Sequence, residues 1–187
     1  IGFTALEKTG STFPDAVYNQ AREVDGIVLG PVSHNDYPPR AEGGLNPSGE
    51  LRKRLDLYAN IRPAKSYDGL PPKCGDAVDL IVVRENTEGF YADRNMFMGS
   101  GEFMPTEDLA LAVRKVTRKA SLRIAETAFQ LASQRRKKVT VVHKANVLRM
   151  SDGLFLSCTR EAARRYPDVE CEEQLIDAMA ALLVRDA

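Results

Sequence analysis

This chain has no excess charge of either sign. Lys plus Arg and Asp plus Glu stand at 26 each among 187 residues, so the balance gives no pull toward a nucleic-acid backbone or an anionic membrane. It is short of cysteine. Cys74, Cys158 and Cys171 are odd in number, far apart and without the CxxC spacing of zinc or redox sites, which fits a reducing cytoplasm. Long apolar runs are missing too, and none approaches the ~20 residues that a membrane span needs. No signal pattern opens the chain, and no GxGxxG or GxxxxGKS/T loop accompanies Gly99 and Gly101, which therefore read as turn glycines. His34 and His143 lack partners at metal-ligand spacing, and no Gly-x-Ser-x-Gly elbow marks a serine nucleophile, so hydrolase chemistry is poorly supported.

What is present, at 43% hydrophobic and 28% charged, is enough to bury a core. Val24 to Pro31 reads as a short buried strand leaving into a Pro- and Gly-rich loop from His34 to Gly49. Ser48 to Leu57 reads as a helix with Ser48 as N-cap, and Tyr58 to Pro63 as extended chain, because a residue before proline is pushed out of the helical region. After a linker, Asp79 to Arg84 forms a strand. Tyr91 to Met104 then reads as a hairpin or projecting arm. Thr106-Glu107-Asp108 carries the capping signal of a long helix, whose buried stripe would be Val113, Val116, Ala120, Ile124, Ala128 and Leu131. A strand from Lys138 to Lys144, a helix from about Gly153 to Tyr166, a strand from Val169 to Ile176 and a helix opening at Asp177 complete an α/β alternation. The expected fold is a mostly parallel sheet flanked by helices. The carboxyl ends of such strands line one edge, where open α/β sheets bind ligands, so Arg84, Lys144 and Asp177 are expected to converge on one crevice.

The chemistry lies in these strand ends and in two more arginines. Arg52 and Arg62, one on a helix and one on the strand after it, are placed to face one cleft as the chain doubles back. A guanidinium is a fixed fork that grips a carboxylate at two points, and each such charged hydrogen bond is worth roughly 1.5–3 kcal/mol when kept dry. With Arg84 they would suit a di- or tricarboxylic acid; singly, each reads first as a surface salt-bridge partner. Lys144 has the position of an acid–base lysine or of a solvent-facing strand end, and Asp177 that of a helix opener or a ligand for a hard cation. Tyr91 is a candidate proton donor or an aromatic packing residue. The Arg135-Arg136-Lys137-Lys138 cluster reads as a solvated turn.

Four segments in order carry a resemblance: Leu51-Arg52-Lys53-Arg54-Leu55-Asp56-Leu57-Tyr58-Ala59-Asn60-Ile61-Arg62-Pro63, Val83-Arg84-Glu85-Asn86-Thr87-Glu88-Gly89-Phe90-Tyr91, His143-Lys144-Ala145-Asn146-Val147-Leu148 and Ile176-Asp177-Ala178-Met179-Ala180. Together they resemble the isocitrate and isopropylmalate dehydrogenase family. The resemblance implies oxidative decarboxylation of a 2-hydroxy acid with NAD or NADP and Mg2+ or Mn2+. It also implies roles: Arg52, Arg62 and Arg84 for substrate carboxylates, Tyr91 and Lys144 for proton transfer, Asn146 beside the nicotinamide, and Asp177 on the metal. Lys144 and Asp177 would serve the partner subunit's site, which implies a homodimer.

The family's opening Gly-Asp-Gly-Ile-Gly-Pro loop and its closing Gly-Asp-Ile-x-Ser-Asp and His-Gly-Ser-Ala-Pro-Asp motifs are missing from this sequence. The chain therefore reads as the middle of an enzyme: part of a first, cofactor-side domain over 1–57, then a second, dimer-forming domain over 58–187 with an arm near 91–104. The polar Asn46-Pro47-Ser48-Gly49-Glu50 turn disfavours an isopropyl substituent on the substrate. The rival expectation is a regulatory or assembly subunit of the same fold. Such a subunit would be expected to lose some of these residues.

Overall fold

The computed structural model describes residues 1–74 and 77–185. By internal contacts the chain divides into two units, Ile1–Leu57 and Tyr58–Ala187.

The first unit holds three helices, α1 (Phe3–Thr9), α2 (Asp15–Ala21) and α3 (Pro47–Arg54). Thr12, fully buried, pins the long loop: its hydroxyl donates to the Leu45 carbonyl at 2.6 Å and accepts from the Leu45 amide at 2.7 Å. Gly44 has to be glycine here, since a Cβ would stand 1.6 Å from the Pro38 carbonyl oxygen. The cap of α3 is Asn46, not Ser48: the Asn46 side chain accepts from the Ser48 and Gly49 amides, with Pro47 at the first helical position. Val24 to Pro31 forms no strand. A strand needs a ladder partner, no described segment supplies one, and Val28 is left fully exposed.

The second unit opens with β1 (Ala59–Lys65) and β2 (Asp79–Glu85), which pair antiparallel. The hairpin β3 (Glu102–Thr106) and β4 (Leu109–Ala112) follows. Next come α4 (Arg118–Ser133), β5 (Lys138–His143), α5 (Ser151–Ala163), β6 (Glu170–Leu175) and α6 (Ile176–Arg185). The fold is α/β, with helices against the strands and a β-arm. The strand pairing is mixed, however: of the three two-stranded ladders among the described residues, β5–β6 alone is parallel. The reason lies in the connections. A parallel pair requires a crossover, which α5 provides between β5 and β6, whereas no described residue between β1 and β2 is helical.

The arm lies later than the sequence suggests. Thr106 pairs with Leu109, so Glu107-Asp108 is a two-residue hairpin turn and not a helix start. The long helix begins after Thr117, whose hydroxyl accepts from the Ala120 amide. Its buried face is Ala120, Ser121, Ile124, Ala125, Phe129 and Ala132, with Ala128 and Leu131 only half-buried. The core closes between α4, α5 and β6 over Phe129, Ala132, Ala162 and Val169, with Tyr166 stacked on Phe129 at 5.5 Å. Burial and the Glu126 carboxylate, which the Tyr166 hydroxyl meets at 3.0 Å, push that phenol above its usual range.

Candidate active site

Register places the first group. Asn60 lies opposite Arg84 and Arg62 opposite Val82. Opposed residues share a face, as do residues two apart, so Asn60, Arg62, Val82 and Arg84 line one face of the β1–β2 ribbon. Arg84 Nη2 donates to the Tyr91 hydroxyl at 2.7 Å, and Arg62 Nε donates to Asn60 Oδ1 at 2.9 Å. Tyr91 is half-buried, and the guanidinium of Arg94 lies 4.6 Å from its ring centroid.

The loop between Arg84 and Tyr91 is held by its own acids. Glu85 accepts from the Thr87 and Glu88 amides at 2.8 Å each, and from the Thr87 hydroxyl. Buried Glu88 accepts from the Thr117 amide at 2.7 Å and the Thr117 hydroxyl at 2.9 Å, which fastens the loop to the start of α4. Gly89, at φ +86°, exchanges both backbone hydrogen bonds with Lys115 at 2.9 Å. Only a residue tolerant of the left-handed region fits there. Arg123 Nη2 reaches the Thr87 hydroxyl at 2.7 Å and lies over the Tyr58 ring. Sequence reasoning named Glu85 to Gly89 as a motif but missed these supporting partners, which come from residues about 30 positions away.

The second group sits at the ends of the parallel pair. His143 lies opposite Leu175, so Lys144 and Asp177, just beyond, emerge at the same edge. Their side chains form an ion pair. The Lys144 amide donates to Asp152 Oδ2 at 2.6 Å; Asp152 is buried and also pairs with Arg114, which reaches the Ser151 hydroxyl at 3.2 Å. Asp152 fixes the turn that carries Lys144. Its signal in the sequence was only its place in the first turn of α5. Asn146 is exposed in that turn.

In this chain the residues expected in one crevice fall in two groups: Arg62 and Arg84 on the antiparallel ribbon with Tyr91 in the loop after it, and Lys144 with Asp177 just beyond the parallel pair. The two ladders belong to separate sheets, so the groups share no strand edge. Arg52 lies half-buried on α3, in the first unit. Among the described residues no three His, Cys, Asp or Glu side chains gather as a metal site, and the Asp177 carboxylate is engaged by Lys144. The residues do not by themselves make the expected Mg2+ or Mn2+ site. Cys158 and Cys171 are packing residues: Cys158 is fully buried, and burial pushes the Cys171 thiol above its ordinary value. No described helix is long and apolar enough to cross a membrane.

Fold and site together define an α/β protein with an arginine face suited to anionic acids and a lysine–carboxylate pair at a separate strand edge. Its sequence matches the family model for isocitrate/isopropylmalate dehydrogenase over residues 1–187. The chain belongs to that family. It is 40% identical over 185 residues to a 3-isopropylmalate dehydrogenase of Saccharolobus solfataricus, an alignment covering 99% of this chain and 50% of that protein. A homoisocitrate dehydrogenase of Methanocaldococcus jannaschii is 35% identical over 98% of this chain and 53% of its own length. The crystal structure of isocitrate dehydrogenase from Methylococcus capsulatus superposes with a TM-score of 0.79 at 40% identity, covering 99% of this chain and 52% of that one. The chain thus spans about half the length of these relatives.

Proposed function

We propose that this chain supplies the substrate-binding and proton-transfer residues of an NAD(P)-dependent dehydrogenase that oxidatively decarboxylates a 2-hydroxy di- or tricarboxylic acid. The observation that carries the reading is the 2.7 Å hydrogen bond from Arg84 to Tyr91, with Arg62 on the same ribbon face. Arg62 and Arg84 would grip the acid's carboxylates through their forked donors, and Arg52 is proposed for the same role on the family resemblance alone. A phenol held by a guanidinium beside the bound acid is positioned to deliver a proton to carbon once CO2 has left. Lys144, its turn fixed by Asp152 and its ammonium oriented by Asp177, would take the proton of the substrate hydroxyl.

NAD or NADP, when bound, accepts the hydride; Asn146 would lie beside its nicotinamide. Asp177 is proposed as one carboxylate of a larger metal set, but a lone carboxylate does not make a magnesium site and no step is derived through a metal. The placement of Lys144 and Asp177 at the end of a strand pair separate from the ribbon of Arg84 supports a homodimer in which each subunit lends that pair to its partner's site. Residues 1–57 would then be part of the cofactor-side domain and 58–187 the dimer-forming one. Retention of all of these residues supports the catalytic reading over a regulatory subunit. The polar turn at Asn46 to Glu50 supports a substrate more polar than isopropylmalate. Thiols kept by Cys158 and Cys171 fit a reducing compartment such as the cytoplasm.

The test is Arg84→Lys in the whole protein, with reduced nicotinamide followed during turnover of isocitrate, isopropylmalate, homoisocitrate or tartrate. Loss of the forked contact should cost at least about tenfold in kcat/KM. Kinetics within about twofold of the parent, or no turnover of any of these acids, would overturn the reading.

A further inference from the structure

We propose that Asn60 is a positioning residue, which sets the direction in which the Arg62 guanidinium is presented to the substrate's carboxylate. The inference rests on the functional reading above, but assigns a role to a residue outside the arginine, tyrosine and lysine set.

The geometry is directional. An amide side chain has one accepting and one donating end, and both ends of Asn60 are in use. Its Nδ2 donates to Asn86 Oδ1 at 3.4 Å, and its Oδ1 accepts from Arg62 Nε at 2.9 Å. Asn86 is a firm anchor: it is 6% exposed, and its backbone amide is tied to the Tyr58 carbonyl at 2.8 Å. The order of the amide follows from this. With its donor turned to the Asn86 oxygen, Asn60 can offer only its oxygen to Arg62.

Holding Arg62 through Nε has a chemical consequence. The guanidinium presents five N–H donors in a plane, and a contact at Nε fixes the rotation of that plane while leaving the Nη1–Nη2 edge for a carboxylate. Arg62 is exposed and makes no other hydrogen bond among the described residues, so without Asn60 its long side chain would sample many rotamers. Ordering it in advance lowers the entropy lost on binding. Asn60 also lies directly opposite Arg84 on the shared face, so an acid at residue 60 would place a negative charge between the two guanidinium groups.

The experiment is a double-mutant cycle in the whole protein, using whichever of isocitrate, isopropylmalate, homoisocitrate or tartrate it turns over fastest. Asn60→Ala should raise KM about three- to tenfold with kcat within about twofold, because binding common to ground and transition states is lost. In an Arg62→Ala background the same change should move KM by less than about 1.5-fold, since a residue acting only through Arg62 has nothing left to position. Asn60→Asp, nearly isosteric, guards against misfolding and should raise KM at least as much, by pairing with Arg62. Full additivity of Asn60→Ala and Arg62→Ala, an unchanged KM in Asn60→Ala, or an unchanged KM in Asn60→Asp overturns the positioning role while leaving the functional reading in place. If Arg62→Ala alone leaves KM unchanged, or none of the four acids is turned over, the functional reading fails and the positioning role fails with it.

Discussion

Tyr91 and Arg84 lie seven residues apart in the chain, yet the Arg84 guanidinium donates to the phenol oxygen at 2.7 Å. The loop between them is folded back by Glu85 and Glu88, so the pair is built into the backbone and does not depend on a chance meeting of two surface side chains. Arg94 holds the ring from another side. Tyr91→Phe removes the proton and keeps the ring packing. In the whole protein kcat should fall by about a hundredfold or more, the usual worth of a positioned acid, with KM changed little. Substrate turnover at parental kcat would exclude Tyr91 as the donor.

Lys144 and Asp177 give a second expectation, because they stand just beyond the β5–β6 pair, a different ladder from the β1–β2 ribbon that carries Arg84. If each site takes its tyrosine from one subunit and its lysine from the other, Tyr91→Phe and Lys144→Met should each be nearly inactive alone. Mixed dimers of the two would contain one site with both parental residues. Activity should therefore reappear when the inactive variants are unfolded together and refolded, and native mass spectrometry should show the heterodimer. Heterodimers that stay inactive would place the whole site within one subunit.

How much of this was legible in the sequence depends on how local the deciding forces are. Helix α5 and strands β5 and β6 follow from periodicity, since their flanking turns and apolar alternation agree with the packing. Val24 to Pro31 has the composition of a strand but not the neighbour that would make it one. Thr106-Glu107-Asp108 is ambiguous on its own: threonine followed by acids suits a helix cap and equally a two-residue turn. The choice is made by Phe103 pairing with Leu111 across the hairpin, which no local rule contains. The arginines, Tyr91 and Lys144 were legible because recurring motifs bear them. Their supports Asp152, Thr117 and Arg123 were not, because each acts through a hydrogen bond whose partner only the fold brings near, while Asn60 stands beside Arg62 in the motif itself but shows its role only through the direction of its hydrogen bonds.

Acid should weaken the β5–β6 pair and α5 in a way that can be assigned. Arg160 holds Glu173 through two hydrogen bonds, at 2.6 and 2.8 Å, and keeps its carboxyl below the ordinary value of 4.5. Thr140 and Lys138 do the same for Glu172. A carboxyl with a lowered folded value adds stability that is fully present above the unfolded value and is lost as pH falls through the folded one. Glu173→Gln should accordingly lower the thermal midpoint at pH 7, and the difference should shrink as pH falls through the lowered folded value, where the parent's carboxylate is itself protonated. A difference that persists undiminished into acid would show that Glu173 acts through packing and not through its charge.

The arm makes the strongest demand for a neighbour. Phe103, Met104, Leu109 and Leu111 on β3 and β4 are 43–63% exposed, and Phe97 and Met98 before them are more exposed still. Exposed apolar side chains in this number on a two-stranded ribbon are costly in water, and an isolated hairpin is marginal on its own, so a second subunit's arm is the occupant the proposed dimer supplies. At about 25 cal/mol per Å2 of apolar surface covered, burying these side chains across a two-fold axis would contribute several kcal/mol to association. Replacing Glu102 to Ala112 by a short Gly-Ser turn between Gly101 and Val113 removes the ribbon and spares the core around Phe129. The variant should sediment as a monomer in analytical ultracentrifugation at concentrations where the parent is a dimer, and it should lose turnover if the lysine comes from the partner. A shortened protein that still sediments as a dimer would move the interface elsewhere on the second unit.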